Sequence, residues 1–385
     1  MPARHIASRT AGGFFSLPAP RPHYNPFLPP ERPINPGRTA APGIATEHAM
    51  TRTYVYLLIS AFFLAAAPRL CSAEAQASPT ARIPVILDTD IGDDIDDTWA
   101  LGLVLKSPEL DLKLVVTDYG NARYRAKIVA RFLERAGRTD VPVGIGLKPE
   151  DKPGKQTEWV KDYDLKSYPG KVHEDGVGAL IHVIMTSPQP VTLICIGPMP
   201  NIEEALKREP KIAEKARFVG MHGSVRKGYG GGAKVSAEWN VRAAPKACQA
   251  VFAAPWPKTI TPLDTCGLVH VTGAKFAALR DSKDPVAAAI MENYTVWAEA
   301  SKRKELSEGK SSTLYDTVAV YLAFAQELAK MEDITLAVTD DGFTRPDPAG
   351  HAVRVATEWK DMGAFEDLLV KRLTGPTVPA PAAAK

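Results

Sequence analysis

The fold is decided by residues 83–101, which read IPVILDTDIGDDIDDTWAL. A β-branched apolar run ends at Asp88 and predicts a buried strand. Six aspartates fall within a window of ten residues, and the apolar spacing of Ala100, Leu103 and Val104 then predicts a helix. A strand, an acidic turn and a helix in this order indicate the carboxyl edge of a parallel sheet, where open α/β folds place their ligands.

Three interpretations of the acidic turn compete. A solvated loop that caps the helix would use Asp94 or Asp96 near the N-cap and leave most of the other acids without a role. An EF-hand loop counted from Asp88 needs a glutamate at its twelfth position. This chain has Trp99 there, so the EF-hand interpretation fails. A metal site accounts for all six aspartates, because crowded carboxylates repel and a hard divalent cation takes several oxygen ligands.

Alternating strand and helix patterns fill the chain after residue 82. Further strands are predicted at residues 110–117, 141–145, 191–196, 218–221 and 259–263, with a late hairpin or edge at 334–338 and 353–357. Further helices are predicted at residues 123–136, 178–186, 201–207, 244–254, 285–303, 317–330 and 361–373. The repeated βα units predict a single-domain α/β fold with a mainly parallel central sheet and helices on both faces.

The N-terminal region predicts an exported protein. Residues 1–49 contain ten of the 33 prolines and no regular period, which indicates a disordered leader. Residues 50–77 have the layout of a signal peptide, with Arg52 in a polar start, an apolar core and small residues before the cleavage point. The core, residues 55–67, is shorter than the about 20 apolar residues that span a bilayer, so no stable membrane span is expected. Translation from Met50 and a periplasmic or extracellular location are predicted.

The charge composition limits which binding partners are expected. The formal net charge of +3 gives no basic surface of the kind that binds nucleic acid.

Three cysteines of the domain, Cys195, Cys248 and Cys266, have no metal-ligand spacing and are expected to be buried free thiols. The domain is predicted at residues 80–373, before a disordered tail at 374–385. A homo-oligomer is compatible with the sequence, which has no motif that fixes an oligomeric state.

The acidic turn resembles the calcium-dependent nucleoside hydrolases of the inosine/uridine-preferring type. The family's usual form is D-x-D-P-G-x-D-D, here with Ile91 in place of proline and two extra residues between Gly92 and the final pair. An alignment from the right makes Asp96 and Asp97 that pair and keeps the following Ala-Leu in place. An alignment from the left makes Asp94 its first member.

Later segments follow the family's order. Asn121 ends a V-x-G-N-like turn after the second strand, and the resemblance implies that it reaches the substrate's ribose. His173 opens a segment that resembles the family's H-G-x-x-G near the active site. The segment after residue 194 resembles T-G-P-L-T-N, which implies that the Ile196 carbonyl coordinates calcium. Taken alone, each would be an ordinary turn or loop residue.

Two further motifs complete the resemblance. Met221, followed by Glu238 and Asn240, matches M-G-G … E-x-N, and this implies that all three contact substrate, the last two through ribose hydroxyls. Residues two apart on an extended loop point the same way, as adjacent diols require. Asp316 opens a helix where the family has its last calcium ligand. The preceding family residue is often a histidine that assists the leaving base. Here it is Tyr315, a catalytic candidate that could donate a proton to the leaving base or stack on it, although its usual pKa near 10 makes it a poorer acid.

The resemblance implies an N-ribohydrolase with a small nucleoside or riboside substrate. It implies a Ca²⁺ ion bound by three carboxylates and one carbonyl: Asp90, Asp97, Asp316 and Ile196. The ion would orient and acidify a water, and Asp96 would take the proton, or Asp94 in the left-hand alignment. Asp88 would support the ligands or orient the ribose.

Two rival classes stay open on the sequence alone. A strand followed by D-x-D also resembles the haloacid-dehalogenase-like phosphatases, which use magnesium, and Asp340-Asp341 could serve as their late acidic pair. That interpretation leaves the E-x-N and Tyr-Asp motifs unexplained. A secreted protein that binds nucleosides or sugars without catalysis is the other rival. It is suggested by Tyr315 and by Gly232, which stands where the family usually has an asparagine.

Overall fold

A ten-stranded sheet forms the centre of the computed structural model, which describes residues 81–147 and 153–376. The strands are β1 (Ile83–Thr89), β2 (Leu110–Thr117), β3 (Val143–Ile145), β4 (Val172–His173), β5 (Val191–Cys195), β6 (Ala216–Met221), β7 (Lys258–Thr261), β8 (Ala329–Val338), β9 (Thr344–Pro346) and β10 (His351–Trp359). Their spatial order is β4-β3-β2-β1-β5-β6-β7-β10-β8-β9. All neighbours from β4 to β10 pair in parallel, and β8 pairs antiparallel with both β10 and β9. The predicted parallel sheet and its late antiparallel edge are therefore confirmed.

Helices cover both faces of the sheet. Within the described ranges they are α1 (Asp96–Lys106), α2 (Ala122–Arg135), α3 (Gly176–Thr186), α4 (Pro200–Arg208), α5 (Ile212–Lys215), α6 (Trp239–Ala243), α7 (Pro245–Ala253), α8 (Gly273–Arg280), α9 (Pro285–Ala300), α10 (Lys304–Gly309), α11 (Tyr315–Leu322) and α12 (Met362–Thr374). Along β1, Val85 and Leu87 enter one apolar cluster while Ile86 enters the other. Because a central parallel strand is buried on both faces, its sequence is a continuous apolar run and not an alternating one.

The predicted helix at residues 317–330 is wrong in its second half. Helix α11 ends at Leu322, and β8 starts at Ala329, which pairs with Trp359 of β10. The Lys360 amide also donates to the Leu328 carbonyl at 2.8 Å, which extends this pairing by one residue. The apolar spacing suits a helix, but pairing with a distant strand outweighs local propensity. The short helices α5, α6, α8 and α10 were not predicted.

Several predictions concern residues near the termini. The predicted leader, residues 1–49, and signal peptide, residues 50–77, lie outside the described residues, and so does most of the tail. Among the helices that are described, none combines the length and the apolarity needed to cross a membrane. The three cysteines of the domain are buried free thiols, as predicted.

Candidate active site

Three buried aspartates meet where two helices begin. Asp96 and Asp97 lie in the first turn of α1, and Asp316 lies in the first turn of α11. One carboxylate oxygen from each lies within 4.8 Å of the others. Burial, and then the charges of its two neighbours, raises the pKa of Asp316 well above its usual value. We call these three residues the acid cluster.

Asp90 adds a fourth carboxylate. It lies in the turn after β1 and is 7% exposed, and burial raises its pKa to about 6. After burial, the charge of Asp90 is the next cause that raises the pKa of Asp97. The hydroxyl of Thr89 donates to Asp97 and fixes its orientation. Three of the four carboxylates therefore come from the acidic turn and the start of α1, and only Asp316 comes from a distant part of the sequence.

Asp88 lies near the end of β1 and is not a member of the acid cluster. It points to the face of the sheet opposite Thr89, and its Oδ2 accepts a hydrogen bond of 2.9 Å from Asn201. Burial raises the pKa of Asp88 to about 7, and Asn201 opposes that shift. Asp118, at the end of β2, is equally buried, and burial followed by the charge of Asp88 raises its pKa.

The donor set suits a hard divalent cation. Four buried carboxylates in one place lose hydration and repel one another, which explains why their pKa values are all raised. An oxygen-only set of this kind is the type that Ca²⁺ and Mg²⁺ prefer. The residues present therefore fit the metal that the sequence predicts, and Asp90, Asp97 and Asp316 could hold it.

Glu238 and Asn240 lie beside the acid cluster. Glu238 is the N-cap of α6, and its carboxylate accepts hydrogen bonds from the amides of Gly223 at 3.0 Å and Asn240 at 2.7 Å. Burial raises the pKa of Glu238 to about 7, and the nearby charge of Asp90 contributes. Glu238 and Asp316 therefore lie on the same side of the molecule as Asp90, as a common site for metal and substrate requires.

Asn240 ties two strand ends together. Its Nδ2 donates to the carbonyls of Ile196 and Met221, each at 3.0 Å, at the ends of β5 and β6. A carbonyl oxygen has two lone pairs, so Ile196 can accept this bond and still offer a pair to a cation. The amide of Ile196 donates to the carbonyl of Asp88 at 2.9 Å, which places it next to β1.

Three aromatic residues lead from the acid cluster to solvent. Tyr315 packs edge-on against Tyr229, with ring centroids 6.3 Å apart, and burial raises its pKa further above 10. The charges of Asp96 and Asp94 add to this shift and show that Tyr315 is near the acids. The Tyr229 hydroxyl accepts a hydrogen bond of 2.9 Å from the amide of Trp239. Of the described large apolar side chains only Trp239 is exposed, at 46%.

A family model described as inosine-uridine preferring nucleoside hydrolase matches residues 85–366. The chain belongs to this family. It is therefore an N-glycosyl hydrolase, as the resemblance of its motifs implies, and nucleoside hydrolases of this family are metal-dependent.

Relatives support the same assignment. The pyrimidine-specific ribonucleoside hydrolase RihA of Enterobacter sp. (strain 638) is 30% identical over 278 residues, which are 68% of this chain and 85% of the relative. A probable uridine nucleosidase 2 of Oryza sativa subsp. japonica is 29% identical over 53% of this chain and 64% of its own length.

Solved structures show the same fold. The plant nucleoside hydrolase PpNRh1 superposes with a TM-score of 0.64 at 22% identity, over 77% of this chain and all of the plant chain. The purine-preferring ribonucleoside hydrolase from Gardnerella vaginalis gives a TM-score of 0.63 at 23% identity, over 76% of this chain and 98% of that one.

Not every predicted residue lies at the acid cluster of this nucleoside hydrolase. His173 ends the edge strand β4, three strands from β1 and so about 14 Å away at the usual spacing. Asn121 follows β2 at the correct edge, and its Oδ1 caps α2 by accepting a hydrogen bond of 3.0 Å from the Tyr124 amide. Asp94 is exposed, and its carboxylate accepts a hydrogen bond of 2.8 Å from the Ile95 amide.

The two aspartates that would serve as the late acidic pair of a haloacid-dehalogenase-like phosphatase lie in a surface turn. Asp340 and Asp341 are exposed between β8 and β9, and Asp340 accepts a hydrogen bond of 2.7 Å from Lys246. Neither belongs to the acid cluster. The family match and this placement both argue against a phosphohydrolase of that type.

Sequence reasoning missed Arg125, which is buried beside the acidic turn and forms an ion pair of 2.8 Å with Asp93. No local pattern marks it, because its partners in the acidic turn lie more than thirty residues away along the chain. Trp239 was also missed, although its place between Glu238 and Asn240 was a usable signal.

Proposed function

We propose that this nucleoside hydrolase cleaves the N-glycosidic bond of a ribonucleoside with the help of Ca²⁺ and an aspartate base. The acid cluster, with Glu238 and Asn240 beside it, is the observation that carries this proposal. The ion would be held by three side chains and one carbonyl: Asp90, Asp97, Asp316 and Ile196. When bound, calcium supplies orientation and a modest acidification of a water.

Asp96 is our choice for the base. It is buried within hydrogen-bonding distance of Asp316, and burial followed by the charge of Asp94 raises its pKa well above the usual value. A base acts best when its pKa is close to the working pH, and a raised carboxylate pKa moves in that direction. Loss of hydration also raises the pKa of Asp94, but its side chain reaches solvent and accepts a hydrogen bond from a backbone amide, which makes it the less suitable of the two.

The ribose would be bound by side chains at the start of α6, which hydrogen bonds hold against the ends of β5 and β6. Glu238 and Asn240 are fixed by backbone hydrogen bonds, so they would meet the hydroxyls without having to reorganise. Asn121 would approach from the end of β2. Hydrogen bonds that strengthen as the sugar flattens lower the barrier and not only the Michaelis constant.

The base of the nucleoside would stack on the aromatic side chains. Tyr315 stays neutral because its pKa is raised, so we assign it a stacking role and not a proton-donating one. Replacement of Trp239 by Ala is expected to raise KM for uridine about tenfold, since stacking of a base on an aromatic ring contributes about 1–3 kcal/mol. Steady-state kinetics would measure this, with Trp239→Phe as the control that keeps a ring. An unchanged KM in Trp239→Ala would remove the indole from the binding site.

Release of ribose is the direct test of the activity. The relatives named for pyrimidine and uridine hydrolysis make uridine and cytidine the first substrates, with inosine for comparison. Ribose release from uridine that stops with EDTA and returns with Ca²⁺ supports the proposal. Binding of uridine without any release would favour a non-catalytic binder, and release of phosphate from p-nitrophenyl phosphate would favour a phosphohydrolase.

We also propose that residues 50–77 direct export of the protein and are then removed. The apolar core and the small residues that follow it support this proposal. N-terminal sequencing of the native protein should find a mature start between residues 74 and 78. A native chain that begins at residue 2 would contradict both the export signal and the start at Met50.

A further inference from the structure

The acidic turn is held by side chains that lie outside it. Its five consecutive carbonyls, from Asp90 to Asp94, each accept a hydrogen bond from such a side chain. Arg125 donates to the first two, Tyr124 to the third at 3.1 Å, Trp297 to the fourth at 3.0 Å and Gln156 to the fifth at 2.8 Å. We call these four side chains the collar.

Arg125 is the centre of the collar. One terminal nitrogen donates to the carbonyls of Asp90 and Ile91, and the other donates to the carboxylate of Asp93 at 2.8 Å. Its Nε donates to the carbonyl of Tyr119 at 2.7 Å, so the same guanidinium joins the turns after β1 and β2. Tyr119 has a φ of 45°, a conformation that costs energy for a residue other than glycine and needs support from its surroundings.

The other members of the collar support one another. The Tyr124 hydroxyl accepts a hydrogen bond of 3.0 Å from the amide of Gln156 while it donates to the turn. The side-chain oxygen of Gln156 accepts a hydrogen bond of 2.7 Å from Asn293 of α9. A Cβ at Gly154 would lie 2.4 Å from the Gly92 carbonyl, so only glycine allows this segment to pass so close. The collar is therefore built into three separate parts of the chain.

Such a turn has a physical reason to need support. It is two residues longer than the usual family form, and its aspartates repel one another. Its carbonyls make none of the ladder bonds of a strand, and a buried carbonyl without a partner is costly. Without the collar the turn would relax outward and carry Asp90 away from Asp97.

We propose that the collar is a positioning device for the acidic turn, with Arg125 as its main positioning residue. It fixes the carboxylates in the arrangement that accepts a cation before the cation arrives. The inference rests on the proposed cation site, and none of the four side chains needs to touch the ion.

A simpler role for Arg125 predicts the opposite sign. If its charge only offsets the aspartates, Arg125→Gln would remove a cation from beside the site and tighten Ca²⁺ binding. Arg125→Lys would then behave like the unaltered chain. As a positioning residue, Arg125 cannot be replaced by lysine either, since one ammonium group lacks the planar fork that reaches three carbonyls.

Calorimetric titration of the full chain with Ca²⁺ alone separates the two roles. We expect Arg125→Gln and Arg125→Lys each to weaken binding about 10- to 100-fold, the usual cost of losing support behind metal ligands. Tyr124→Phe removes a single hydroxyl and should weaken binding severalfold. Turnover should return towards the original rate at saturating Ca²⁺, which a general loss of structure would not allow.

Arg138→Gln is the matched control. Arg138 is also buried and also grips an aspartate, Asp140, at 2.8 and 2.9 Å, but it makes no contact with the acidic turn. Its loss should lower the melting temperature and leave Ca²⁺ affinity unchanged. If Arg125→Gln fails to fold, Arg125→Lys and Tyr124→Phe decide the question.

The outcomes distinguish the two proposals. Tighter binding in Arg125→Gln, or unchanged binding in folded Arg125→Lys and Tyr124→Phe, overturns the positioning role and leaves the proposed function intact. Absence of Ca²⁺ binding by the unaltered chain overturns both.

Discussion

Replacement of Asp316 by Asn is expected to abolish Ca²⁺ binding and turnover together, and to stabilise the metal-free chain. Asn has the same shape but carries no charge. Because Asp316 is buried, and because the charges of Asp96 and Asp97 raise its pKa, its removal relieves repulsion in the metal-free protein. Loss of support behind a ligand costs about 10–100-fold, so loss of a ligand itself should cost turnover more than about a hundredfold. Asp97→Asn should behave in the same way.

Stability and metal binding should change in opposite directions in Asp316→Asn. Calorimetric titration with Ca²⁺ and thermal unfolding in EDTA measure the two quantities. Asp284→Asn is the control, since Asp284 caps α9 and pairs with the buried Lys106. That variant should lose stability and keep its Ca²⁺ affinity. Retention of full Ca²⁺ affinity by Asp316→Asn would remove this residue from the metal site.

The metal-free chain is expected to lose stability steeply as pH rises from 6.5 to 8. Burial raises the pKa of Asp88 and of Glu238 to about 7, and it raises that of Asp97 well above its usual value. Above about pH 4, the folded chain therefore holds protons that the unfolded chain has released. The stability that these protons provide is lost as the pH rises through the folded pKa values. One extra proton gives a slope of about 1.4 kcal/mol per pH unit, so Asp88 and Glu238 together give an expected fall of about 1.5 kcal/mol over this range.

The pH range keeps the contribution of histidine small. Burial lowers the pKa of His222 to about 4 and also lowers the pKa values of His173 and His270, so these groups add most of their stability below pH 7 and oppose only the start of the decline. Unfolding should be followed at several pH values in EDTA and again in saturating Ca²⁺, which should flatten the dependence. Glu238→Gln should reduce the slope in EDTA. A flat profile in EDTA for the unaltered chain would mean that the carboxylates are charged and satisfied without a metal.

Local signals were sufficient for much of the fold. The apolar run before Asp88 and the strand at residues 110–117 were predictable, because a buried parallel strand has a continuous apolar sequence. The helix predicted through residue 330 was not correct, because strand pairing with β10 decides the conformation there. Periodicity reports which residues are apolar, and it does not report which partner they will meet.

The residues of the candidate site were also only partly predictable from the sequence. The carboxylates of the acidic turn could be chosen from the sequence because charge crowding is visible without a structure, whereas Asp316 and Glu238 were chosen through the family resemblance. Arg125 could not be chosen, since its function depends on carbonyls that belong to a different turn. His173 was chosen by motif, and the fold places it on an edge strand away from the acids.

The collar also limits how this turn can change during evolution or engineering. Its four donors come from α2, from α9 and from the segment near Gln156, so the conformation of the longer turn depends on these three segments. A graft of the shorter D-x-D-P-G-x-D-D turn alone would leave buried donors without acceptors, and each such donor costs about 1–3 kcal/mol. A successful exchange between members of the family would have to transfer all four segments together.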